Sequence, residues 1–179
     1  MSVYERRYLS LSEILKLIIK KRHPLSSKEQ KELLEEVRDK YPFVYEVLDR
    51  KRPIELLETS KGEIVYLQDG RPLLFRMKEI LVPCLRACQE IIDTLPKVVV
   101  DMGAVPFIVN GADVMAPGIR EVDDRALSGS VAVVVEEKYR KPLAVGIMLM
   151  DPKDIREKKK GKAVKNVHHV GDELWKFTE

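Results

Sequence analysis

Side-chain amides, cysteines and tryptophan are all scarce in this chain of 179 residues. It has two asparagines, three glutamines, two cysteines and one tryptophan. Charged residues, by contrast, make up 34% of the chain, whereas soluble proteins typically contain about 25%. Many lysines, glutamates and arginines beside few amides is the composition expected of a protein from a thermophile.

With so few cysteines, a disulfide framework is not expected. Cys84 and Cys88 are four residues apart in "PCLRACQEII", a segment whose pattern predicts a helix, so both would lie on one helix face. Two thiols alone do not form a zinc site. Buried free thiols are the prediction.

Long apolar runs are also missing. None approaches the roughly 20 residues that a membrane-spanning helix needs, and no segment resembles a signal peptide. Hydrophobic residues nevertheless make up 45% of the chain, which is enough for a core. We therefore expect a soluble, intracellular protein of the cytoplasm, with no membrane partner.

The net positive charge is small, but basic residues are concentrated in a few segments. The net charge of +3 excludes a polycation that binds any anion. However, "REKKKGKAVK" at Arg156–Lys165 holds six basic residues, and shorter runs occur at Lys20–Arg22 and Arg50–Arg52. Such clusters suit contact with nucleic acid, although any one of them is equally typical of a solvated surface.

The first half mixes helices and strands. The segment "SEILKLIIKK" has helical spacing and predicts a helix that ends before Pro24. A second helix covers "SSKEQKELLEEVRDKY", with Ser26 and Glu29, or Ser27 and Gln30, as its capping box, and a shorter helix follows.

Short strands come next in the first half. They are predicted at "PIELLETS", "EIVYLQ" and "PLLFRM", and Asp69–Gly70 suits a type I′ hairpin turn between the last two. Pro83 then begins a predicted helix that reaches about Leu95. Residues 1–95 are therefore predicted to form an α+β domain.

After Pro96 the chain is predicted to be mainly β. Strands are expected at "KVVVD", "SVAVVVEE", "PLAVGIMLM", "AVKNVHHV" and "ELWKF". Two short helices interrupt them, one capped by Asp101 and stopped by Gly111, the other capped by Asp151. About 84 residues of this kind suggest a small closed or half-closed barrel. The fold class is thus α+β, with a second domain at 96–179.

Catalytic and cofactor motifs are not found. The sequence has no phosphate-binding loop, dinucleotide fingerprint, zinc-protease motif or nucleophile elbow. The adjacent His168 and His169 would point to opposite faces of a strand, one packed and one exposed, and could not hold one metal together. We therefore predict no catalytic residues, no metal and no cofactor.

The segment "NGADVMAPGI", from Asn110 to Ile119, places two glycines and a proline among small apolar residues. Its glycines can serve as a helix stop and a turn, which is the commoner use of glycine. They can also leave a surface on which a phosphate or ribose reaches main-chain groups. The residues by themselves leave both interpretations open.

The order of segments in the second half resembles the PUA domain, named after pseudouridine synthases and archaeosine transglycosylases. The resemblance lies in "VVVDMGAVPFIVNGADVMAPGI", "GSVAVVVEE", "PLAVGIMLM" and "GKAVKNVHHVGDELWKF", and covers residues 96 to about 177. Gly111–Ala112, Pro117–Gly118 and Ala144–Gly146 fall where that family has its signature. It implies an RNA-binding pseudobarrel of mainly β strands.

The first half is similar to a second known unit. "EIVYLQDGRPLLFRMKEILVPCLRACQEI" resembles the pre-PUA domain of the malignant T-cell-amplified-sequence family and of the ligatin-type initiation factor. The resemblance implies a role in translation with a density-regulated-protein partner, on small ribosomal subunits and tRNA. The composition favours an archaeal relative.

The resemblance also implies which residues contact RNA, namely the short helix, the glycine loop and the last strand. These positions are Val109, Asn110, Gly111, Ala112, Asp113, Val114, Met115, Pro117 and Gly118, with the edge from Val170 to Trp175. On physical grounds we add the cations Arg120, Lys160, Lys162 and Lys165. Asp113 is expected to cap or turn the loop, and Trp175 either stacks on a base or belongs to the core.

The expected function is non-enzymatic binding of structured RNA, either tRNA or ribosomal RNA, in translation. Recognition would use RNA shape and backbone, and DNA is not an expected partner. One alternative is an RNA-modification enzyme of the pseudouridine synthase or tRNA-guanine transglycosylase type, or its RNA-guiding subunit. Another is a scaffold whose first-half hairpin docks a protein.

Overall fold

The computed structural model describes residues 19–87 and 89–177. The first half contains the strands β1 (Ile19–Pro24), β2 (Glu55–Thr59), β3 (Ile64–Gln68), β4 (Arg71–Met77) and β5 (Ile80–Pro83), and the helices α1 (Ser27–Lys40), α2 (Pro42–Val47) and α3 (Gln89–Thr94). The second half contains β6 (Lys97–Val100), β7 (Val114–Met115), β8 (Ile119–Val122), β9 (Val131–Glu136), β10 (Pro142–Met148) and β11 (Lys162–His169), with α4 (Val105–Ile108), a 3₁₀ turn (Ala116–Gly118), α5 (Pro152–Lys158) and α6 (Glu173–Phe177). The predicted α+β class is confirmed.

The first-half sheet is an antiparallel meander in the order β1-β2-β3-β4-β5. Helix α1 starts where its capping box predicts, because the Ser26 hydroxyl accepts from the Glu29 N–H and the Glu29 carboxylate accepts from the Ser26 N–H. The β3–β4 turn has φ of 51° at Asp69 and 76° at Gly70, as the type I′ prediction requires.

The helix predicted before Pro24 is wrong over Ile19–Pro24, which is strand β1. Its residues 12–18 lie outside the described residues. Strand β1 pairs with β2, Arg22 opposite Leu57, and this ladder joins segments more than thirty residues apart. A helical spacing of apolar residues cannot report such long-range backbone hydrogen bonds.

The helix predicted from Pro83 is also wrong at its start. Pro83 ends β5, paired with Leu74, and the Cys84 N–H extends the pairing to the Leu73 carbonyl at 2.9 Å. Residues 84–87 are not helical, and helix α3 covers Gln89–Thr94. Cys84 is a buried free thiol, as predicted, and burial raises the pKa of that thiol. Because it precedes the helix, it does not lie on the predicted helix face, and Cys88 is outside the described residues.

The second-half sheet is barrel-like, with strand order β7-β11-β10-β9-β6-β8. Strands β6 and β9 are parallel, and every other pair in the order is antiparallel. All six residues of β9 are buried, so both faces of this strand are covered. This explains the unbroken apolar run "VAVVV", which is typical of a strand inside a sheet with two covered faces.

Alternate residues of β6 and β9 pack into two different cores. Val98 and Val134 lie in the core enclosed by the second half. Val99 and Val133 lie in the larger core, together with Val65 of the first-half sheet. The two halves therefore share a hydrophobic core, and the division of the chain at residue 95 stays a prediction.

Two further predictions in the second half need correction, and a third, the cap at Asp151, is right in position but not in its hydrogen bond. The segment "ELWKF" is helix α6 rather than a strand, and the Asp172 carboxylate accepts from the Trp175 N–H at 2.7 Å in its first turn. Helix α4 has Ala104 as its N-cap, while Asp101 caps the turn before it by accepting from the Ala104 N–H. Asp151 stands at the N-cap of α5 but accepts from the Ser128 N–H.

Across the described ranges, no helix is long and apolar enough to cross a membrane.

Candidate nucleic-acid interface

A cleft of about 690 Å³ lies beside α4, at the predicted RNA-contact loop. Its lining includes Phe107, Gly111, Asp113, Met115, Gly118 and Lys162, and we refer to it as the glycine-loop cleft. The side chain of Phe107 is 68% exposed and that of Met115 is 46% exposed. Large apolar groups beside open backbone form a surface on which a base or ribose can pack.

The two glycines of the loop have different structural roles. Gly111 has φ of 90°, a conformation that side chains rarely adopt, and a β-carbon there would come within 3.2 Å of His169 Nε2. A β-carbon at Gly118 would lie 3.5 Å from Ala104 Cβ, an ordinary contact without backbone strain. The helix-stop interpretation therefore applies to Gly111, while Gly118 is free to take a small side chain.

Asp113 ties the loop to strand β11. Its Oδ1 accepts from the Asn166 N–H and its Oδ2 accepts from Lys162 Nζ, both at 3.0 Å. The hydrogen bond from Lys162, supported by that from Asn166, lowers the pKa of Asp113 below its usual value. Asp113 therefore stays ionised and organises the loop, and its charge is offset by Lys162.

Asn166 is a residue that the sequence analysis missed. Its side-chain amide donates to the carbonyl oxygens of Ile108 at 3.0 Å and Ala112 at 3.1 Å. It thus satisfies two carbonyls where α4 ends and the glycine loop begins. An asparagine inside a strand is unfavourable by propensity, and this was the available signal.

The four added cations differ in how far neighbouring carboxylates neutralise them. Lys162 binds Asp113, and the exposed Arg120 lies 3.5 Å from Asp101 and 3.7 Å from Glu137. Lys160 and Lys165 are exposed, and within the described residues neither has a salt bridge. These two lysines have the charge most available for a phosphate.

The remaining predicted residues vary in exposure. Ala112 and Pro117 are exposed, whereas Val114 is buried and Val109 packs partly against the second-half core. Asn110 uses its amide to bond the Pro106 carbonyl at 2.7 Å. The loop residues are thus brought together, but the side chain of Val114 belongs to the core.

Trp175 is predicted either to stack on a base or to belong to the core. Its ring packs partly against the shared core, and the Arg86 guanidinium lies 4.9 Å from the ring centroid. These contacts favour the core interpretation over base stacking.

The two histidines do lie on opposite faces. His168 is buried, donates to Asp172 at 2.8 Å and meets Phe75 edge-on. His169 is half-buried and faces Gly111, so it adjoins the candidate site, which the sequence analysis missed. Among residues 19–87 and 89–177, no three His, Cys, Asp or Glu side chains are grouped to hold a metal.

Family models match both halves of the chain. The PUA domain matches residues 96–170, and a domain of unknown function, DUF1947, matches residues 21–90. An uncharacterized protein from Methanocaldococcus jannaschii is 40% identical over 89% of this chain and 98% of its own length. Malignant T-cell-amplified sequence 1 from Rattus norvegicus is 30% identical over 80% of this chain and 81% of its own length. This chain belongs to the malignant T-cell-amplified-sequence family.

Another relative is translation machinery-associated protein 20 from Eremothecium gossypii, which is 31% identical over 83% of this chain and 88% of its own length. Solved structures agree with the fold. A hypothetical protein from Pyrococcus horikoshii OT3 has a TM-score of 0.76 at 40% identity, covering 89% of this chain and all of that one. A PUA domain protein from Aeropyrum pernix K1 has a TM-score of 0.78 at 29% identity, covering 90% and 96%. The resemblances to the PUA domain and to the malignant T-cell-amplified-sequence family are confirmed.

Proposed function

We propose that this protein binds structured RNA of the translation apparatus, either tRNA or ribosomal RNA, and catalyses no reaction. The observation that carries the proposal is the glycine-loop cleft inside the PUA match, where exposed Phe107 and Met115 flank open backbone. Relatives named for the translation machinery support the biological setting.

RNA would bind this cleft by shape and backbone contact. Gly118 leaves room for a ribose or base edge, and Phe107 offers a ring face for stacking. Lys160 and Lys165 would neutralise phosphates near the loop. Asp113 and Asn166 hold the loop in place before RNA arrives, so that little ordering entropy is lost on binding.

The polar groups of the cleft favour binding over catalysis. A general base must stand within hydrogen-bond reach of the proton it removes and have a pKa near the working pH. Asp113 is engaged by Lys162 and Asn166, and its pKa is lowered rather than raised. We therefore assign it a structural role.

Filter binding with unfractionated tRNA and with small-subunit ribosomal RNA tests the proposal over 50 to 200 mM salt. We expect affinity that falls linearly with salt on a double logarithmic plot. Gly118→Leu should weaken binding about tenfold, while Gly118→Ala, whose β-carbon makes only an ordinary contact with Ala104, should change it little. Absence of binding to both RNAs at the lowest salt would disprove the proposal.

The biological partners follow from the same proposal. We infer that the protein acts on the small ribosomal subunit in the cytosol of a thermophilic archaeon and that its first half binds a protein partner. The composition and the relatives support this inference. Affinity purification from an archaeal host should recover ribosomal subunits. Recovery of an RNA-modifying enzyme in their place would instead make this protein an accessory subunit of that enzyme.

A further inference from the structure

A second cleft, of about 580 Å³, lies between one face of α1 and the segment that follows α2. Its cationic residues are Lys31 and Arg38 on α1 and Arg50 and Lys51 after α2. Tyr45 of α2 completes the wall, and we refer to this site as the basic cleft. Residues 31 and 38 are seven apart, which places both on one face of the helix.

The positive charge of this cleft is only weakly neutralised. Lys31 lies 4.0 Å from Glu35, and both side chains are largely exposed. Arg38 contacts its neighbour Asp39 at 3.5 Å, while within the described residues Arg50 and Lys51 have no salt bridge. Exposed ion pairs of this kind contribute about 1 kcal/mol or less, so a phosphate can readily replace the carboxylate.

The basic run of strand β1, Lys20–Arg22, differs from the basic cleft in how far carboxylates neutralise its charge. Lys20 pairs with Glu58 at 2.6 Å and Arg22 pairs with Glu55 at 2.8 Å. Both carboxylates come from the adjacent strand β2. That run is largely neutralised within the sheet, whereas the charges of the basic cleft face a cavity.

The segment that provides Arg50 and Lys51 is held in place by side-chain amides. Gln30 donates to the Arg52 carbonyl and accepts from the Ile54 N–H, both at 3.0 Å. Gln68 donates to the Asp49 carbonyl at 2.9 Å. Two of the three glutamines in the chain are therefore used to fix this one segment.

Arg50 is itself oriented by Tyr45. Its guanidinium donates to the Tyr45 carbonyl at 2.9 Å and lies 4.6 Å from the centroid of the Tyr45 ring. A guanidinium stacked on an aromatic ring keeps a defined plane and presents its other N–H groups outward. This is a suitable arrangement for a phosphate oxygen, because the guanidinium is already oriented and its remaining N–H groups can donate charge-assisted hydrogen bonds.

We propose that the basic cleft binds phosphate groups of the RNA backbone, as a second contact additional to the glycine-loop cleft. This inference rests on the proposed RNA-binding function. Four cations with one lining carboxylate, Glu35, favour nucleic acid over a protein surface, since a local cluster of lysines and arginines on one surface is the electrostatic signature of a nucleic-acid contact. Two contacts on one RNA raise affinity because the second binding event is intramolecular.

The experiment compares two charge-removing double variants by filter binding with unfractionated tRNA. Lys31→Gln with Lys51→Gln removes two lysines of the basic cleft. Lys28→Gln with Lys78→Gln removes two exposed lysines that do not line it. Lys28 and Lys31 are closely matched, because each lies on α1 with a glutamate four residues later at 3.9 or 4.0 Å.

We expect the cleft variant to reduce the slope of log affinity against log salt by about 1.4 to 1.8, from two lost phosphate contacts. Its affinity at 0.1 M salt should fall about 25-fold or more, while the control pair keeps the slope of the unmodified protein. Ultraviolet crosslinking followed by mass spectrometry should place a nucleotide adduct on Tyr45. Thermal unfolding of both variants verifies that they are folded.

Equal slopes for the two double variants would overturn the inference, provided that the unmodified protein binds tRNA and Gly118→Leu weakens that binding. The inference would also be overturned, in favour of a protein partner, if the cleft variant kept its tRNA affinity but no longer recovered an acidic protein that the unmodified protein recovers in a pull-down. If the unmodified protein binds no RNA at low salt, the proposed function itself fails, and this outcome is distinguishable from the other two.

Discussion

The imidazole of His169 closes one side of Gly111, since a β-carbon at residue 111 would lie only 3.2 Å from His169 Nε2. The two residues are 58 positions apart in the chain, yet His169 lies directly against Gly111, which lines the glycine-loop cleft. The backbone at Gly111, with φ of 90°, adds a second reason why a side chain does not fit there.

Gly111→Ala is therefore expected to destabilise the fold by about 1 to 2 kcal/mol, because a left-handed backbone is costly for alanine. Gly118→Ala is the matched control, and its free energy of unfolding should change by about 0.5 kcal/mol or less. Urea unfolding of both variants provides the comparison. An equal loss in the two variants would contradict the distinction between the two glycines.

Gly146→Ala should be far more disruptive than either. A β-carbon there would meet the Lys165 carbonyl oxygen and Val164 Cγ1 at 2.5 Å, where β10 pairs with β11. Neither the paired backbone nor the packed valine can move freely, so we expect a loss of about 3 kcal/mol or failure to fold. Circular dichroism and urea unfolding measure this, and a variant as stable as Gly118→Ala would refute it.

Asp113→Asn should increase affinity for RNA. The asparagine oxygen can still accept from the Asn166 N–H, while Lys162 loses its charged partner and becomes available to a phosphate. One additional contact corresponds to a gain of about fivefold at 0.1 M salt. Filter binding with tRNA measures the gain, and Lys162→Gln should weaken binding. If Asp113→Asn instead binds tRNA more weakly and its stability is unchanged, the result would show that Lys162 needs Asp113 for its position.

Asp172→Asn tests the pH dependence of stability. Burial raises the pKa of Asp172, but hydrogen bonds from His168 and from two backbone N–H groups outweigh it, and the pKa lies below its usual value. Because the folded pKa is depressed, this carboxylate contributes stability above the unfolded pKa of about 3.9, and the contribution is lost as pH falls through the folded pKa.

We therefore expect Asp172→Asn to cost about 1 to 3 kcal/mol at pH 7, with a difference from the unmodified protein that shrinks as pH falls from about 5 to 2. Urea midpoints across this range provide the measurement. The exposed Asp124, whose partner is Arg156 at 2.6 Å, offers a control in which Asp124→Asn changes stability by about 0.5 kcal/mol or less. A difference for Asp172→Asn that stays constant with pH would contradict the assignment.

Local features of the sequence were sufficient for the elements that local chemistry specifies. The Ser26–Glu29 box starts α1, and Asp69–Gly70 makes the β3–β4 turn, because each depends on atoms only a few residues apart. Gly111 was recognisable as a helix stop for the same reason. The order of segments in the second half also identified the PUA family, because that order can be read from the sequence without knowing which residues contact each other.

Long-range contacts decided the rest. Residues 19–24 became a strand because β2 pairs with them. The helix at "ELWKF" is an exception, because its Asp172 cap is a local contact, three residues from Trp175, that the prediction of a strand overlooked. Asn166 and His169 joined the glycine loop from more than fifty residues away. Equally, the sequence determined where lysines and arginines cluster, but only the tertiary structure brought carboxylates to β1 and left the basic cleft weakly paired. Charge is a property of the residue, whereas its neutralisation depends on which chain segments fold beside it.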